Sequence, residues 1–310
     1  MNYIAKALIQ NTLSILPHKL GNKIYYFIQK KFGSLRRFNH KKRLFVSNKI
    51  FELAQHNNFD TRNKSFLEIG TGRNILLPIG LWLKGASKVV TVDLNRYFDE
   101  KVFVQSLKWI INNQNLITRD MPDVDKNRIS LIDSFLNQSD QNIYNFLDSI
   151  NISYIAPCDA SDLPYKDQYF DFHISYTVLE HIDINSLQSI FKEAKRVLKN
   201  NGCLIHLIDY TDHFSHTDRN LSNISFLSYS DRKIDFLMNN RYMYMNMLRH
   251  DDFLDFFKEN LYQVIYEENF IDKKLLLKLN QDKNKFKLRE EYFKKSNIIL
   301  ATESSWFVLI

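Results

Sequence analysis

The chain has 310 residues, of which 45% are hydrophobic and 14% aromatic, so it can bury a full core and exceeds the ~200 residues of one bare α/β domain. It has no run of 18 or more apolar residues and no continuous apolar signal core at its N-terminus, which excludes a membrane-spanning helix and a secretory signal and predicts a cytoplasmic protein. The first 50 residues hold eleven of the 42 Lys and Arg residues and none of the 35 Asp and Glu residues, so the net charge of +7 is entirely N-terminal in origin.

Residues 1–60 are predicted to form a basic helical cap. Helical spacing of apolar residues covers 2–16 and 20–32, with Pro17 and Gly21 between them, and a third helix is predicted from Arg36 to Gln55. Such a cap can serve as a lid over a binding site, or residues 1–50 can lie on an anionic membrane surface with their apolar side down. Contact with nucleic acid is disfavoured, because nothing in the segment demands a groove or a base contact.

Residues 61–310 are predicted to form one α/β domain with two insertions. Strands are expected at 65–69, 88–92, 152–156, 170–176 and 203–209, and helices at 75–84, 99–112 and 184–199. Insertions occupy about 113–150 and 210–260, and a lysine-rich helical segment at 273–295 separates two late strands at 261–266 and 304–310. The alternation predicts a parallel, doubly wound sheet that binds ligands at the carboxyl ends of its strands. Cys158 and Cys203 fall where strands are expected, which predicts reduced core thiols.

A glycine turn follows the first predicted strand and indicates a nucleoside cofactor. Gly70 and Gly72 allow a sharp turn and a close backbone approach, and Asp93 lies about 20 residues on, where a carboxylate accepts hydrogen bonds from ribose hydroxyls. A dinucleotide site needs a third glycine at position 75, which is Ile75 here. Glu68 beside the turn would repel a phosphate but suits the ammonium and sulfonium groups of S-adenosylmethionine.

Two further motifs complete an ordered pattern: Asp159-Ala-Ser-Asp-Leu-Pro164, and Phe170-Asp-Phe-His-Ile-Ser-Tyr-Thr-Val-Leu-Glu-His181. From about Phe66 to Ile208 the chain resembles the class I S-adenosylmethionine-dependent methyltransferases, in particular the methyltransferase type 11 group. The resemblance implies a Rossmann-like sheet of seven strands with an antiparallel closing strand.

The resemblance also implies roles for individual residues. Glu68, Gly70 and Gly72 would surround the methionine and ribose portion of the cofactor, and Asp93 would hold the ribose diol. Asp159 would accept from the adenine amino group, the Ala160 backbone would contact the ring, and the segment from Ser175 to Thr177 would border the methyl-transfer end.

Candidate catalytic residues follow the fourth and fifth predicted strands. His206, Asp209, Asp212 and His213 are predicted at or just beyond the ligand-binding edge, with His181 on the same edge. His213 or His181 can act as a general base oriented by Asp209 or Asp212, because imidazole titrates nearest to neutral pH. A magnesium or calcium site in this cluster is a less favoured alternative, so we do not predict a bound metal. The same Asp and His residues can instead have only the structural role of capping a turn.

The acceptor side carries a narrower resemblance. The segments Ile208-Asp-Tyr-Thr-Asp-His-Phe214 and Asn246-Met-Leu-Arg249 are similar to those of methyltransferases of bacterial surface-polysaccharide and glycolipid synthesis. Arg241 and Arg249 are candidates to clamp a phosphate or carboxylate. We therefore predict methyl transfer to an oxygen, with a nitrogen as second choice, of a saccharide or glycolipid, and the basic N-terminus is compatible with a location at the inner membrane surface. A nucleic-acid methyltransferase and a non-catalytic S-adenosylmethionine-binding subunit are the alternatives, and oligomeric state is not predicted.

Overall fold

The protein is described by a computed structural model that covers residues 2–33 and 38–310. Within these residues one sheet has seven strands: β1 (Ser65–Ile69), β2 (Lys88–Val92), β3 (Ile152–Ile155), β4 (Phe170–Tyr176), β5 (Leu198–Asp209), β6 (Val264–Ile271) and β7 (Thr302–Leu309). Their order is β3-β2-β1-β4-β5-β7-β6. Strands β1 to β5 are parallel, and β7 runs antiparallel to both β5 and β6. The predicted doubly wound, Rossmann-like sheet with an antiparallel closing strand is confirmed.

Helices cover both faces of the sheet. Before and within the first half of the sheet they are α1 (Tyr3–Ile15), α2 (His18–Phe32), α3 (His40–His56), α4 (Leu76–Leu83), α5 (Glu100–Asn112), α6 (Gln114–Asp120), α7 (Lys126–Leu136) and α8 (Ile143–Ser149). In the second half they are α9 (Ile184–Val197), α10 (Asp231–Met238), α11 (His250–Glu259), α12 (Lys273–Asp282), α13 (Glu290–Phe293) and α14 (Asn297–Ala301). Helices α3, α4, α5, α7 and α8 contribute to the core on one face, while α9 and α11 fill the other.

The central strands consist largely of apolar residues, because helices cover them on both sides. In β2, every residue after Lys88 is buried. Helix α9 buries one stripe, formed by Leu187, Ile190, Phe191, Ala194 and Val197, against the sheet. Asp183 caps its N-terminus by accepting from the backbone N–H groups of Asn185 and Ser186.

The predicted N-terminal cap divides into two parts. Helix α3 belongs to the main core, where Leu44, Ile50 and Phe51 are buried and Ser47 lies so close to Gly80 of α4 that only glycine fits there. Helix α1 instead contributes Ala7 to a separate cluster with the insertion and with α12 and α14. The predicted start of the third helix, at Arg36, lies outside the described residues.

Two predictions about the last hundred residues need correction. The strand expected at 261–266 lies at Val264–Ile271, because Leu261 adopts a left-handed turn (φ 60°) and Tyr262 is buried. The helical segment expected at 273–295 is interrupted by a 3₁₀ turn at Lys283–Phe286 and by Lys287 at φ 48°. Along the part of the chain that the structure describes, every helix is too short or too polar to cross a membrane.

Candidate active site

The glycine turn lies between β1 and α4, at the carboxyl ends of the parallel strands. Gly70 has φ +79°, and a Cβ atom there would lie 2.4 Å from a methyl group of Val178. Gly72 has φ +68°, but a Cβ atom there would meet no heavy atom within 4 Å. Gly70 is therefore required by packing against the segment after β4, whereas Gly72 faces open space that a ligand can occupy.

Asp93 fixes this turn to the end of β2. Its Oδ2 accepts a hydrogen bond from the backbone N–H of Gly72 (2.8 Å), and its Oδ1 accepts one from Asn95 (2.9 Å). Burial raises the pKa of Asp93, although these two backbone donors oppose the shift. Each carboxylate oxygen can accept a second hydrogen bond, so the predicted role in binding a ribose diol is compatible with the geometry.

An outer cavity of about 580 Å³ extends from the turn across the ends of β2 and β3. Asp93, Asp159 and Ala160 line it on one side, and Ile182 and Tyr244 line it on the other. Asp159 is exposed, and its Oδ1 accepts from the backbone N–H and the hydroxyl of Ser161. Five of the predicted cofactor-binding residues thus lie along one cavity: Gly70, Gly72, Asp93, Asp159 and Ala160.

Cys158 also lines the outer cavity, which corrects its predicted place in the core. It follows β3 in a loop and is partly accessible, whereas Cys203 is buried in β5. Both cysteines are free thiols, as predicted. Burial raises the pKa of the Cys158 thiol, so it stays protonated and unreactive at neutral pH.

Glu68 does not lie where direct contact with the cofactor was predicted. Glu68 is fully buried and lines neither cavity at the turn. One oxygen accepts the Thr91 hydroxyl at 2.6 Å, and the other lies 3.4 Å from a guanidinium nitrogen of Arg43. Burial raises the pKa of Glu68 to about 7, against the opposing effect of Arg43. The cation beside this carboxylate is therefore a residue of the protein.

Ser175 and His206 also differ from their predicted positions. Both are fully buried in adjacent strands, where the Ser175 hydroxyl and His206 Nδ1 are 2.7 Å apart. Neither lines a cavity at the turn, since they precede the strand ends and face the interior. Thr177 borders both cavities instead, and its φ of +54° is strained for a β-branched residue at a ligand-binding edge.

A second, inner cavity of about 460 Å³ shares Gly70, Gly72, Tyr97, Thr177 and Val178 with the outer one. Four tyrosines and three arginines line it: Tyr25, Tyr97, Tyr176, Tyr242, Arg43, Arg73 and Arg241. The sequence predicts ring-stacking tyrosines in the segment 240–250, which contains Tyr242, and a methyl-transfer border at 175–177, which contains Tyr176. It does not single out Tyr25 and Tyr97, which come from α2 and from the loop after β2.

Arg43 and Arg73 place two partly buried guanidinium groups in the inner cavity. Arg73 lies 4.1 Å from the ring centroid of Tyr26 and 5.2 Å from that of Tyr97. Burial lowers the pKa of Arg73, and cation–π contacts of this kind hold a guanidinium while leaving its N–H groups available. Arg43 lies over the Tyr176 ring at 5.2 Å. The inner cavity is therefore suited to an anionic ligand group.

The two arginines predicted to clamp an anion are placed differently. Arg249 is buried and donates to the backbone carbonyls of Tyr210, Ile299, Leu300 and Thr302, so it has a structural role. Arg241 is exposed and donates to the carbonyls of Ser14 and Leu16 at the end of α1. Arg241 lines the inner cavity but also joins α1 to the insertion.

The three predicted catalytic residues lie together beyond β4 and β5. The ring centroids of His181 and His213 are 4.8 Å apart, and His213 Nε2 is 3.6 Å from Asp209 Oδ2. Burial lowers the pKa of His181 to about 4. Burial alone would raise the pKa of Asp209, but the nearby imidazole of His213 and the hydrogen bonds from Thr211 hold it at about 2. Asp212 is fully buried and accepts from the backbone N–H of Phe214, so it caps a turn and does not orient His213.

Comparison with known proteins gives one family model that matches part of the chain and several solved structures of low sequence identity. A methyltransferase-domain family model matches residues 129–206, and no curated protein sequence gives a significant match. A methyltransferase of Methanosarcina mazei is 13% identical (TM-score 0.45, covering 82% of this chain and 95% of that one). A protein of Pyrococcus horikoshii is 15% identical (0.46, covering 92% and 97%). A phosphoethanolamine N-methyltransferase of Haemonchus contortus, bound to S-adenosylhomocysteine, is 15% identical (0.47, covering 97% and 60%). Structural similarity at this level does not indicate which acceptor this chain uses.

S-adenosylmethionine fits the residues present. The turn leaves open space at Gly72, and Asp93 and Asp159 follow in order along one cavity at the ends of β1, β2 and β3. The strand order is that of the class I fold, and the methyltransferase-domain match ends within β5. Part of the chain, residues 129–206, thus matches a methyltransferase domain, and the residues around the glycine turn fit S-adenosylmethionine.

Proposed function

We propose that this enzyme transfers the methyl group of S-adenosylmethionine to an oxygen of a saccharide or glycolipid, with a nitrogen of such an acceptor as second choice. The observation that carries the proposal is the inner cavity, where tyrosine rings and guanidinium groups adjoin the cofactor turn. Aromatic faces bind the apolar faces of sugar rings, and guanidinium groups bind phosphate or carboxylate. The bound cofactor supplies a methyl group on a sulfonium sulfur, and the protein aligns the acceptor with it.

The charges of the inner cavity support an acceptor that carries an anionic group. Arg43 and Arg73 contribute two positive charges, while Glu68 is the acidic residue in direct contact with either guanidinium. Burial raises the pKa of Glu68 to about 7, so even this charge is only partly present at neutral pH. A phosphate on a glycolipid, or the carboxylate of the cofactor itself, would balance the excess.

A hydroxyl acceptor must lose its proton during transfer, and the predicted catalytic cluster supports this step. His181 lines the outer cavity, and His213 lies beside it with Asp209 at 3.6 Å. As a base, His181 is weak, because burial lowers its pKa to about 4. His213, oriented by Asp209, is the better candidate for promoting loss of the hydroxyl proton.

Helices α1 and α2 support a location at an anionic membrane surface. Ile4, Leu8 and Ile15 are exposed on α1, and Leu20 and Phe27 are exposed on α2, where Leu8 is 52% and Phe27 60% accessible. Lys19, Lys23, Lys30 and Lys31 are exposed on α2 as well. An exposed apolar stripe beside a cluster of lysines is typical of helices that lie in the interface of anionic lipid, where a glycolipid acceptor would be found.

Vesicle flotation tests the membrane surface. The wild-type protein should float with phosphatidylcholine vesicles that contain phosphatidylglycerol and should remain below vesicles of phosphatidylcholine alone. Leu8→Glu and Phe27→Glu should abolish flotation, whereas Leu277→Glu, at an equally exposed leucine (63%) on α12, should leave it unchanged. If all three variants floated as well as the wild type, the membrane proposal would be contradicted. If the wild type did not float but was a dimer, and Leu8→Glu or Phe27→Glu made it a monomer, the stripe would be a protein interface.

Transfer of a labelled methyl group tests the acceptor class. The purified enzyme with methyl-labelled S-adenosylmethionine should label a polysaccharide or glycolipid fraction of the source organism. Cells that lack the gene should contain a glycan lighter by one CH₂ per modified residue in mass spectrometry. Labelling of RNA or DNA in place of glycan would overturn the proposed acceptor while leaving the methyltransferase assignment intact.

A further inference from the structure

Three side chains that can bind a metal meet beyond the ends of β4 and β5. Glu180 and His181 belong to the short turn Leu179–His181 after β4, and His213 lies in the loop after β5. One ligand atom from each residue lies within 4.8 Å of the others. A tetrahedral ion with metal–ligand distances of about 2.0–2.2 Å holds its ligand atoms about 3.3–3.6 Å apart. Two imidazoles and a carboxylate at the observed spacing can therefore bind a single ion once the side chains move closer by about 1 Å.

Glu180 is the observation that points to a ligand. It is 2% accessible, and among the residues that the structure describes neither of its carboxylate oxygens has a hydrogen-bond partner. A buried carboxylate of this kind requires either a proton or a cation.

His181 is prepared to act as a neutral ligand. Its Nδ1 lies 2.7 Å from the backbone carbonyl oxygen of Tyr244, so Nδ1 carries the hydrogen and donates to this carbonyl, which leaves a lone pair on Nε2. Histidine ligands in metal sites are oriented by hydrogen bonds of this type to carbonyls or carboxylates.

His213 has a carboxylate beside it. Asp209 Oδ2 is 3.6 Å from His213 Nε2, while its other oxygen accepts from the Thr211 hydroxyl and backbone N–H. This arrangement allows Asp209 to orient His213 or to supply a fourth ligand. Together, Glu180 and Asp209 offer two negative charges, which match those of a divalent cation.

We propose that Glu180, His181 and His213 bind a divalent transition-metal ion of the zinc class, with Asp209 as the supporting carboxylate. Two imidazoles and one carboxylate favour zinc, cobalt or iron over magnesium, which binds mainly oxygen ligands. Binding of the ion is independent of the proposed function. Its consequence rests on that function: because His181 lines the outer cavity, an ion here would hold an acceptor hydroxyl beside the cofactor and make it more acidic, and this would take the place of a free His213 imidazole as the base.

Metal titration of the full-length, tag-free protein after dialysis against a chelator tests the site. Zn²⁺ should bind with one equivalent in calorimetry, Co²⁺ should give a visible d–d absorption band, and Mg²⁺ should not compete. Glu180→Gln and His213→Gln should each weaken zinc binding by at least about a hundredfold. The matched control is His250→Gln, because His250 lies 3.0 Å from Glu267 and no third ligand joins this pair among residues 2–33 and 38–310; this variant should bind zinc like the wild type.

Thermal unfolding separates loss of the ligand from loss of the fold. Zinc should raise the melting temperature of the wild type but not that of Glu180→Gln, although that variant should fold, since glutamine removes an unpartnered buried charge. Absence of zinc binding by the folded wild-type protein, or unchanged affinity in Glu180→Gln, would overturn the site. Neither result depends on methyl transfer, so this failure is distinct from a failure of the proposed function.

Discussion

The cofactor side and the acceptor side of the sheet edge are assembled in different ways. On the cofactor side, residues from 69 to 95 are held by hydrogen bonds that backbone N–H groups donate, such as Gly70 N–H to the Val92 carbonyl (2.9 Å) and Gly72 N–H to the Asp93 carboxylate (2.8 Å). On the acceptor side, contacts join residues more than 200 positions apart, such as Tyr25 stacked on Tyr242 with ring centroids 4.2 Å apart. The cofactor side is therefore specified locally, whereas the acceptor side depends on tertiary packing.

Loss of Arg249 should have the largest effect, because it anchors the acceptor side to the sheet. Arg249→Ala would leave four buried carbonyls without their shared donor and should lower the free energy of unfolding by about 4 kcal/mol or prevent folding. Urea unfolding with a fluorescence readout measures this. Arg241→Ala, which removes two exposed carbonyl contacts, should cost less than about 1 kcal/mol. If both variants lowered the free energy of unfolding by the same amount, Arg249 would not have the special anchoring role assigned to it.

The two glycines of the turn should separate packing from ligand binding. Gly70→Ala should lower the free energy of unfolding by about 3 kcal/mol, since its Cβ would overlap Val178 in addition to the left-handed backbone. Gly72→Ala should cost about 1 kcal/mol, because only the backbone conformation is strained, yet it should weaken S-adenosylmethionine binding. Thermal melts measure the stability of both variants, and calorimetry measures their affinity for S-adenosylmethionine. If both variants lost the same stability and kept full cofactor affinity, the assigned difference between Gly70 and Gly72 would be wrong.

Glu68 should make the cofactor side sensitive to pH. Its pKa is about 7 in the folded protein against 4.5 as its ordinary value, so the folded state binds the proton more tightly. Proton binding by Glu68 therefore stabilises the folded state by about 3 kcal/mol at most. This stabilisation is fully present below pH 4.5 and is lost as the pH rises through 7. The free energy of unfolding of Glu68→Gln, relative to the wild type, should therefore rise between pH 5 and 8. A difference that stays constant with pH would show that Glu68 is ionised in the folded protein throughout this range.

The acidic residues of the outer cavity should differ in their effect on cofactor affinity. Asp93→Asn should weaken S-adenosylmethionine binding by about tenfold or more, which corresponds to ~1.4 kcal/mol, because Asp93 is largely buried and also holds the turn. Asp159→Asn should weaken binding by only a few-fold, since Asp159 is exposed and water competes for its hydrogen bonds. Calorimetric titration gives both values, and a larger loss for Asp159→Asn would reverse the assigned importance of the two residues.

The same contrast explains what the sequence could predict. The glycine turn, Asp93 and the strands β1 to β5 follow from local spacing, so their positions could be predicted closely. Glu68 and Ser175 belong to the same motifs, but whether a side chain at a strand end faces the cavity or the interior depends on its neighbours, here Arg43 and His206. The inner cavity could not be predicted, because Tyr25 and Tyr242 meet only through the packing of α1 and α2 against the insertion.

Arg241 and Tyr242 bind the end of α1 and the face of α2, so the N-terminal helices and the insertion form one structural unit. A gene rearrangement that replaced residues 3–32 alone would remove one wall of the inner cavity and leave the Arg241 guanidinium without the carbonyls of Ser14 and Leu16 that accept from it. A redesign of the inner cavity for a new acceptor must therefore change two distant stretches of the gene together, while the stretch from β1 to β3 can remain as it is.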